Sequence, residues 1–285
     1  MGNAGRNVAQ PRGSREAGYA GLSLAESLFA NRRLLASLAY REVREGFVGS
    51  VLGPTWVLLS PLVTILIYLF LFAVVLQVKI EPGHRIQGDY AMYILAGLVP
   101  WLLTAEVMNR SCSSIIVNAS IVKEVIFPIE ILPAKSIIVA SSSFIVSYGL
   151  FFVYSVVTLG AFPPIYTLFL VIVAVYYLLL LGIAMLFAAI TPFFRDWAKI
   201  VALIPQFMIY ITPIVYVSDW VPPILRPLLY LNPFSYTTWV FQDVLFFGEV
   251  RHPAAWVVSP VLCIGAYFWG AATFWKLKNQ FGNVL

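Results

Sequence analysis

The sequence contains few charged residues. Only 11% of its 285 residues are Asp, Glu, Lys or Arg, whereas 61% are hydrophobic. Roughly a quarter of the residues of an ordinary soluble domain are charged, so this composition excludes that class of protein. A helix needs about 20 consecutive apolar residues to cross a bilayer, and the sequence has several such runs. It therefore predicts a polytopic, all-α membrane protein.

Cysteine and histidine are also scarce. The two cysteines, Cys112 and Cys263, lie in different parts of the predicted membrane region. This placement argues against a disulfide framework, and we expect both to be small buried hydrophobic side chains. The two histidines, His84 and His252, are far apart in the sequence. We therefore predict no metal site.

Acidic residues are rare within the apolar runs. Of the 13 acidic residues, only Glu106 falls where it could lie within hydrocarbon. Ion-coupled and proton-coupled carriers use ionisable groups deep in the bilayer, so a secondary transporter is disfavoured. The chain also lacks the Gly-x-x-x-x-Gly-Lys-Ser/Thr phosphate loop that many ATPases use. If the protein drives active transport, the energy must come from a partner, and we predict no cofactor in this chain.

Six apolar runs are predicted to span the membrane. They are residues 56–78, 90–108, 136–159, 165–190, 199–217 and 254–275. With both termini in the cytoplasm, 14 Lys and Arg residues lie inside and 4 outside, in agreement with the positive-inside rule. A seventh span at 219–247 would place the C-terminal lysines outside the cell, against the positive-inside rule. Prolines also interrupt this stretch. We predict a helical hairpin there that re-enters from the external face.

The chain divides into three parts: a disordered extension at 1–21, an interfacial helix region at 22–50 and the transmembrane domain at 51–285. The extension is rich in Gly, Arg and Asn without periodicity. In the second part Leu34, Leu35 and Leu38 share one helical arc, although Glu42 falls on the same arc. This pattern favours an amphipathic helix along the cytoplasmic interface, with a solvated helix as the alternative.

Five short motifs mark the rest of the chain. They are LGPTW at 52–56, FPIEILP at 127–133, FFRDWAKIV at 193–201, ITPIVY at 211–216 and LLYLNPF at 228–234. In this order they resemble the membrane subunits of ABC-2 type exporters, in particular those that export O-antigen, capsule and teichoic-acid polysaccharides. The resemblance extends from about residue 40 to the C-terminus.

The resemblance implies a transport subunit rather than an enzyme. It implies a homodimer in the bacterial inner membrane that works with two copies of an ABC ATPase subunit, which bind ATP and Mg. The implied substrate is a lipid-linked polysaccharide, moved outward from the cytoplasm. The alternatives are an ABC-2 exporter of drugs or lipids and, from another class, a polytopic membrane enzyme acting on lipid-linked sugars. That enzyme would need an accessible acid, for which Glu106, Asp219 and Asp243 are the candidates.

The resemblance also implies two sites of contact with the ATPase. The first is a coupling helix at 118–127, with Val122, Lys123 and Val125 as contact candidates. Its alternative is a surface helix that only connects two spans. The second is Arg195 and Asp196, which match the RD motif. They are interpreted as a structural ion pair or as a further ATPase contact. The alternative is that they belong to an ordinary cytoplasmic loop, which tends to carry positive charge.

The chain is rich in aromatic residues, with 8 Trp, 15 Tyr and 21 Phe. Aromatic rings present apolar faces against which sugars can stack, and Tyr and Trp keep a polar group. The candidates for a substrate pathway are Trp56, Tyr68, Phe72, Phe207, Tyr210 and Tyr216. The alternative is that these rings face lipid or form interfacial belts. Arg41 and Arg44 precede the first span, where they could contact the pyrophosphate of a lipid-linked sugar.

Overall fold

The computed structural model describes residues 14–46, 49–75, 90–123, 127–160 and 163–285. All regular secondary structure in these ranges is helical. The α-helices are α1 (Ser14–Ala30), α2 (Arg32–Glu45), α3 (Trp56–Leu69), α4 (Tyr90–Val117), α5 (Ala119–Val122), α6 (Ile131–Leu159), α7 (Phe169–Ile190), α8 (Trp197–Ile211), α9 (Arg226–Leu231), α10 (Pro233–Gln242), α11 (Pro253–Lys278) and α12 (Phe281–Val284). Single 3₁₀ turns occur at Gly53–Thr55, Pro164–Leu168 and Ser218–Trp220, and π-helical turns at Phe70–Val75 and Asp243–Phe247.

Helix α4 is the centre of the bundle. Its side chains from Tyr90 to Pro100 are all buried, because α6, α7, α8 and α10 pack around it. A helix that is apolar all round must be surrounded by protein or by lipid. Its 28 residues give a length of about 42 Å, which exceeds the roughly 30 Å of hydrocarbon.

Helices α7 and α11 form the closest helix pair. Glycines make this approach possible: a Cβ atom on Gly270 would lie 2.0 Å from the carbonyl oxygen of Gly182, and one on Gly182 would lie 2.2 Å from that of Ala266. Small residues at a helix crossing let the two backbones touch. The resulting van der Waals contact is a main source of association energy between helices in lipid.

Within the part of the chain that the structure describes, four helical elements are long and apolar enough to cross a membrane: Tyr90–Val117, Ile131–Thr158, Pro164–Ile190 and Pro253–Lys278. These elements confirm a multi-span membrane protein. Helices α3 and α8 are shorter apolar helices, and residues 76–78 of the first predicted span lie outside the described ranges. The count of six spans therefore stays a prediction.

The stretch at 109–135, between the second and third predicted spans, is largely helical. Helix α4 continues to Val117 and α6 already begins at Ile131. The polar side chains of this stretch find partners on the preceding turn: the Ser111 hydroxyl donates to the Val107 carbonyl at 2.6 Å, and the Asn118 amide donates to the Ser114 carbonyl at 2.7 Å. Hydropathy alone does not reveal such bonds to the preceding turn.

The N-terminal region also differs from its prediction. Residues 14–21, assigned to a disordered extension, form the first half of α1, while residues 1–13 lie outside the described ranges. The helix forms because one of its faces packs against α11. Helix α2 follows after Asn31, as predicted, and packs against α6.

Between α8 and α11 the chain forms two short helices. Helices α9 and α10 are separated by Asn232, whose backbone is extended. Side chains from Thr237 to Phe247 are buried, so α10 and its π-helical turn lie inside the bundle. A re-entrant hairpin at this place stays a prediction.

Candidate functional site

The backbone after α8 loses its helical form from residue 212 to residue 217. Pro213 has no amide hydrogen to continue the helix, and Thr212 adopts an extended conformation with φ −88° and ψ 138°. Non-helical backbone at membrane depth requires partners for its polar groups, since each unpaired group costs several kcal/mol.

Side chains from two neighbouring helices supply these partners. The bonds are from the Tyr90 hydroxyl to the Val215 carbonyl, from the Tyr93 hydroxyl to the Tyr216 carbonyl at 2.9 Å and from the Gln242 amide to the Pro213 carbonyl at 2.8 Å. Helices α4 and α10 therefore hold the ITPIVY motif in its unwound form.

The LLYLNPF motif meets ITPIVY directly. The Asn232 amide donates to the Thr212 hydroxyl at 2.8 Å, and its carbonyl oxygen accepts from the Phe234 amide at 3.0 Å. Gly97 on α4 permits this packing, because a Cβ there would lie 3.0 Å from the Thr238 side chain. The two motifs are thus parts of one structural unit. We call residues 212–217 the unwound segment.

Helix α8 has two different faces. Val201, Pro205 and Ile209 are buried where α8 packs against α4. On the opposite face Phe207 and Tyr210 are 65% and 73% exposed. An apolar face without protein cover meets either lipid or a second protein in a membrane.

Two of the predicted pathway residues lie together at the end of α8. Tyr210 and Tyr216 line an open cavity of about 350 Å³ with Trp220 and Leu225. The Tyr216 hydroxyl donates to the Tyr210 carbonyl at 3.1 Å. This cavity offers aromatic faces with adjacent polar groups, which suits contact with a carbohydrate.

The remaining pathway candidates lie on α3 and its π-helical turn. Trp56 is exposed at the start of α3, and its indole nitrogen donates to the Ser50 hydroxyl at 3.0 Å. Tyr68 is partly buried against the core. Phe72 belongs to the π-helical turn, but its side chain lies outside the described part of the structure.

Arg195 and Asp196 both lie exposed in the short turn before α8. The Asp196 carboxylate accepts from the Lys199 ammonium group at 3.0 Å, one turn further along the chain. Such exposed pairs contribute little to stability. The partner of Asp196 in this turn is Lys199, which the sequence interpretation did not name.

The predicted coupling segment is less helical than expected. Helix α5 covers only Ala119–Val122, Phe127 is not helical, and residues 124–126, including the contact candidate Val125, lie outside the described ranges. Val122 is 6% exposed, whereas Lys123 is exposed.

The coupling segment (residues 118–130) borders an open cavity of about 830 Å³ at this end of the bundle. Its walls come from Val122, Lys123, Phe127, Glu130 and, across the opening, Lys278. The two contact candidates that the structure describes are therefore brought together beside the C-terminal end of α11.

Glu130 is a residue that the sequence interpretation missed. Its side chain is buried, and it accepts from the Lys278 ammonium group at 2.6 Å and from the Ser27 hydroxyl. It precedes α6 directly, so it ties the coupling segment to α1 and to α11. The only sequence signal was its place within the FPIEILP motif.

The pKa of Glu130 determines how this contact responds to acid. Burial raises the pKa of its carboxyl group, but the bonds from Lys278 and Ser27 outweigh burial and hold the pKa below the ordinary value of 4.5. A group with a lowered pKa stabilises the fold above the unfolded pKa and loses this contribution as the pH falls through the folded pKa.

We therefore expect the melting temperature of the wild type to exceed that of Glu130→Gln by a constant amount between pH 7 and about pH 5. Below about pH 4.5 the difference shrinks, because the wild-type carboxyl group becomes protonated. Thermal unfolding in detergent micelles measures both. A difference that already changes between pH 7 and about pH 5 contradicts the assignment.

A partly exposed ionic contact explains the imperfect amphipathicity of α2. Glu42 on its inner face pairs with Lys135 at 2.6 Å and with Arg110 at 3.3 Å, so α2 is joined to α6 and α4. Arg110 also pairs with Glu106 at 2.8 Å. Glu42, the charged residue on the apolar arc, thus attaches α2 to the bundle.

The two arginines proposed to meet a pyrophosphate lie on α2 as well. Arg41 and Arg44 are exposed, and the guanidinium group of Arg41 pairs with Glu45 at 2.8 Å. Neither belongs to the Glu42 contact, so both side chains remain open to solvent or headgroups.

At the other end of the bundle, Asp243 is 0% exposed and fully engaged. Its Oδ2 atom accepts from the amides of Arg251 and His252 at 3.1 and 2.9 Å and from the Trp256 indole at 2.9 Å. His252 Nδ1 lies 2.7 Å from Oδ1. The carboxylate thereby closes the turn between α10 and α11. Among the residues that the structure describes, no cluster of side chains could hold a metal ion.

The unwound segment, the exposed face of α8 and the coupling segment all lie within a region that matches one protein family. The model of the ABC-2 type transporter family matches residues 33–246. The chain belongs to this family. The resemblance inferred from its motifs is thereby confirmed.

Several curated ABC-2 relatives match over nearly their whole length. The chain is 28% identical to the O-antigen export system permease protein RfbA of Klebsiella pneumoniae, with 88% of this chain and 95% of the relative covered. It is 27% identical to RfbA of Myxococcus xanthus, with 91% and 97% covered. It is 22% identical to the polysialic acid transport protein KpsM of Escherichia coli, with 84% and 91% covered.

Proposed function

We propose that this chain is the membrane subunit of an ATP-driven exporter that moves a lipid-linked polysaccharide outward across the bacterial inner membrane. The observation that carries the proposal is the match to O-antigen permeases of two organisms over at least 95% of their length. A drug exporter of the same family would share the architecture, but these relatives are named for O-antigen export.

In this proposal the chain crosses the membrane six times. Helix α3 and its π-helical turn cover residues 56–75, and α8 with the unwound segment covers residues 197–217. Each stretch has about the length needed to cross the hydrocarbon. The coupling segment then lies in the cytoplasm with both termini, as the distribution of Lys and Arg favours.

The passage in this proposal forms between two copies of the chain. Helix α8 offers an apolar outer face that includes Leu203, Phe207 and Tyr210, and α3 with its π-helical turn offers one that includes Leu66 and Phe70. The polymer would slide along aromatic faces that hold it weakly. Arg41 and Arg44 would contact its pyrophosphate, which is linked to undecaprenol, at the cytoplasmic side.

Energy would come from two ATPase subunits that bind ATP and Mg and contact the coupling segment. Lys123 is the contact candidate to test, because it is exposed, whereas an Asp at the buried Val122 would disturb the fold. Arg195 and Asp196 lie exposed and would provide a second contact.

We expect Lys123→Glu to weaken binding of the candidate ATPase subunit about tenfold, because it reverses a charge at the contact. Co-purification in lipid nanodiscs and binding titrations measure this effect. Lys276→Glu, an exposed lysine in the last turn of α11, is the matched control and should bind as the wild type does. If no ATPase binds the wild-type chain, the proposal is wrong.

The substrate is tested in the same nanodiscs. We expect an undecaprenyl-pyrophosphate-linked polysaccharide to stimulate ATP hydrolysis, and small amphipathic drugs to have no effect. Stimulation by the drugs alone would favour the drug exporter. Asp219→Ala should keep export, and loss of export in a protein that still folds and binds ATPase would revive the enzyme interpretation.

A further inference from the structure

Helix α1 is attached to α11 by one specific face. Leu24 is completely buried, and Gly21 lies so close to α11 that a Cβ atom would be 2.5 Å from the Phe268 ring. The Tyr267 hydroxyl donates to the Gly21 carbonyl at 2.6 Å. The spacing of residues 21 and 24, with 27 and 28 following, places these contacts on one side of the helix. Helix α1 is therefore docked and does not merely project into solvent.

The docked helix reaches the coupling segment through Glu130. Glu130 lies within the matched residues 33–246, but both of its partners lie outside them. Ser27 comes from α1 and Lys278 from the last turn of α11. Lys278 is itself held over the ring of Trp275, with 4.3 Å from the ammonium nitrogen to the ring centre. The two ends of the chain thus converge on one buried carboxylate.

The other attachments of the coupling segment that the structure describes are apolar. Val122 is buried in a cluster with Leu24 and Phe281, and Phe127 and Ile129 pack against the same cluster. Glu130 stands where this segment passes into α6, a helix of 29 residues. Apolar contacts are non-directional, whereas a charge-assisted hydrogen bond fixes the geometry of the groups that it joins.

We propose that Glu130, held by Ser27 and Lys278, is the positioning residue that keeps the coupling segment rigid against α1 and α6. A push from the ATPase then moves α6 and α1 as one body. Helix α1 is part of this transmission, although it precedes the matched region. The role in transport rests on the proposed function, whereas the rigidity of the segment can be measured without it.

The first experiment measures the segment directly. A spin label is attached to Lys123→Cys, since the native cysteines Cys112 and Cys263 are buried. We expect Ser27→Ala and Glu130→Gln to increase the mobility of the label in the electron paramagnetic resonance spectrum. Ser37→Ala is the matched control, because Ser37 is an exposed helical serine that bonds only within α2 in the described contacts. Unchanged mobility in both variants overturns the proposal.

The second experiment measures transport in the complex with the ATPase. We expect Ser27→Ala to keep complex assembly and the KM for ATP, and to lower the amount of polymer moved per ATP hydrolysed about threefold to tenfold, because a hydrogen bond to a charged group is lost. Glu130→Lys alone should lower this ratio as well, and Lys278→Glu added to it should restore most of what Glu130→Lys loses. A merely structural role predicts instead that the ratio stays constant while the yield of folded protein falls.

These results separate the two proposals. If the wild type does not assemble with an ATPase but the label responds as expected, the proposed function is wrong and the positioning of the segment stands. If assembly and transport are normal and the label and the ratio do not respond to Ser27→Ala or Glu130→Gln, only the positioning role is wrong.

Discussion

Replacing Gly270 by alanine is expected to destabilise this permease strongly. The added Cβ atom would lie 2.0 Å from the Gly182 carbonyl oxygen and 2.8 Å from its Cα atom. Both contacts are with backbone, which cannot rotate away as a side chain can, so α7 and α11 must separate. Overpacking in a tight interior costs about 1–3 kcal/mol and more where the backbone has to move. We expect a loss of about 3 kcal/mol in the free energy of unfolding, a large part of the roughly 5–15 kcal/mol by which folded domains are stable.

The matched control lies on the same helix. A Cβ atom on Gly265 would meet nothing within 4 Å, and alanine is the better helix former. Gly265→Ala should therefore fold as well as the wild type or better. Fluorescence-detected size-exclusion chromatography and thermal unfolding compare the two variants. Equal yields and equal melting temperatures for both would show that the α7–α11 crossing is not as close as described.

The second large effect is expected at Asp243. Asp243→Leu removes the acceptor for two backbone amides and the Trp256 indole, and it leaves these donors buried in an apolar surrounding. Each unsatisfied donor costs about 1–3 kcal/mol. We expect a loss of about 3–5 kcal/mol in the free energy of unfolding, as for other broken buried charge contacts.

Asp243→Asn distinguishes this explanation from a simple effect of volume. An asparagine can turn its oxygen toward the three donors at the Oδ2 position and donate from its amide to His252 Nδ1. It should therefore recover more than half of the loss. Asp219→Leu is a surface control, because Asp219 is 71% exposed and its contact with Arg251 is 3.4 Å long. Thermal unfolding in one detergent measures all three variants, and equal losses for Leu and Asn at position 243 would contradict the role of the hydrogen bonds.

Four long apolar helices and the protein family could be predicted from the sequence. The apolar runs near 90, 136, 165 and 254 correspond to α4, α6, the element at 164–190 and α11, because hydropathy over about 20 residues is a local property. The motifs also identified the family correctly. The ends of the helices were less predictable, since α4 continues through polar residues such as Ser111, whose hydroxyl bonds to a carbonyl of the preceding turn.

The coupling segment shows where local reasoning fails. The coupling helix predicted at 118–127 begins at Ala119, but in the described residues it is only one turn long. Val122 looked like a surface contact, yet it is buried in a cluster with Leu24 and Phe281. Neither neighbour could be inferred, because they lie about a hundred or more residues away in the sequence.

The amino-acid sequence alone was enough to predict a multi-span helical membrane protein of the ABC-2 type. These properties follow from composition, from the placement of charges and from short motifs, all of which belong to single segments. The roles of Glu42, Glu130, Asp243 and the glycines at 97, 182 and 270 became visible only in the folded chain. Their roles depend on which helices meet and at what rotation, and packing among distant parts of the chain sets both.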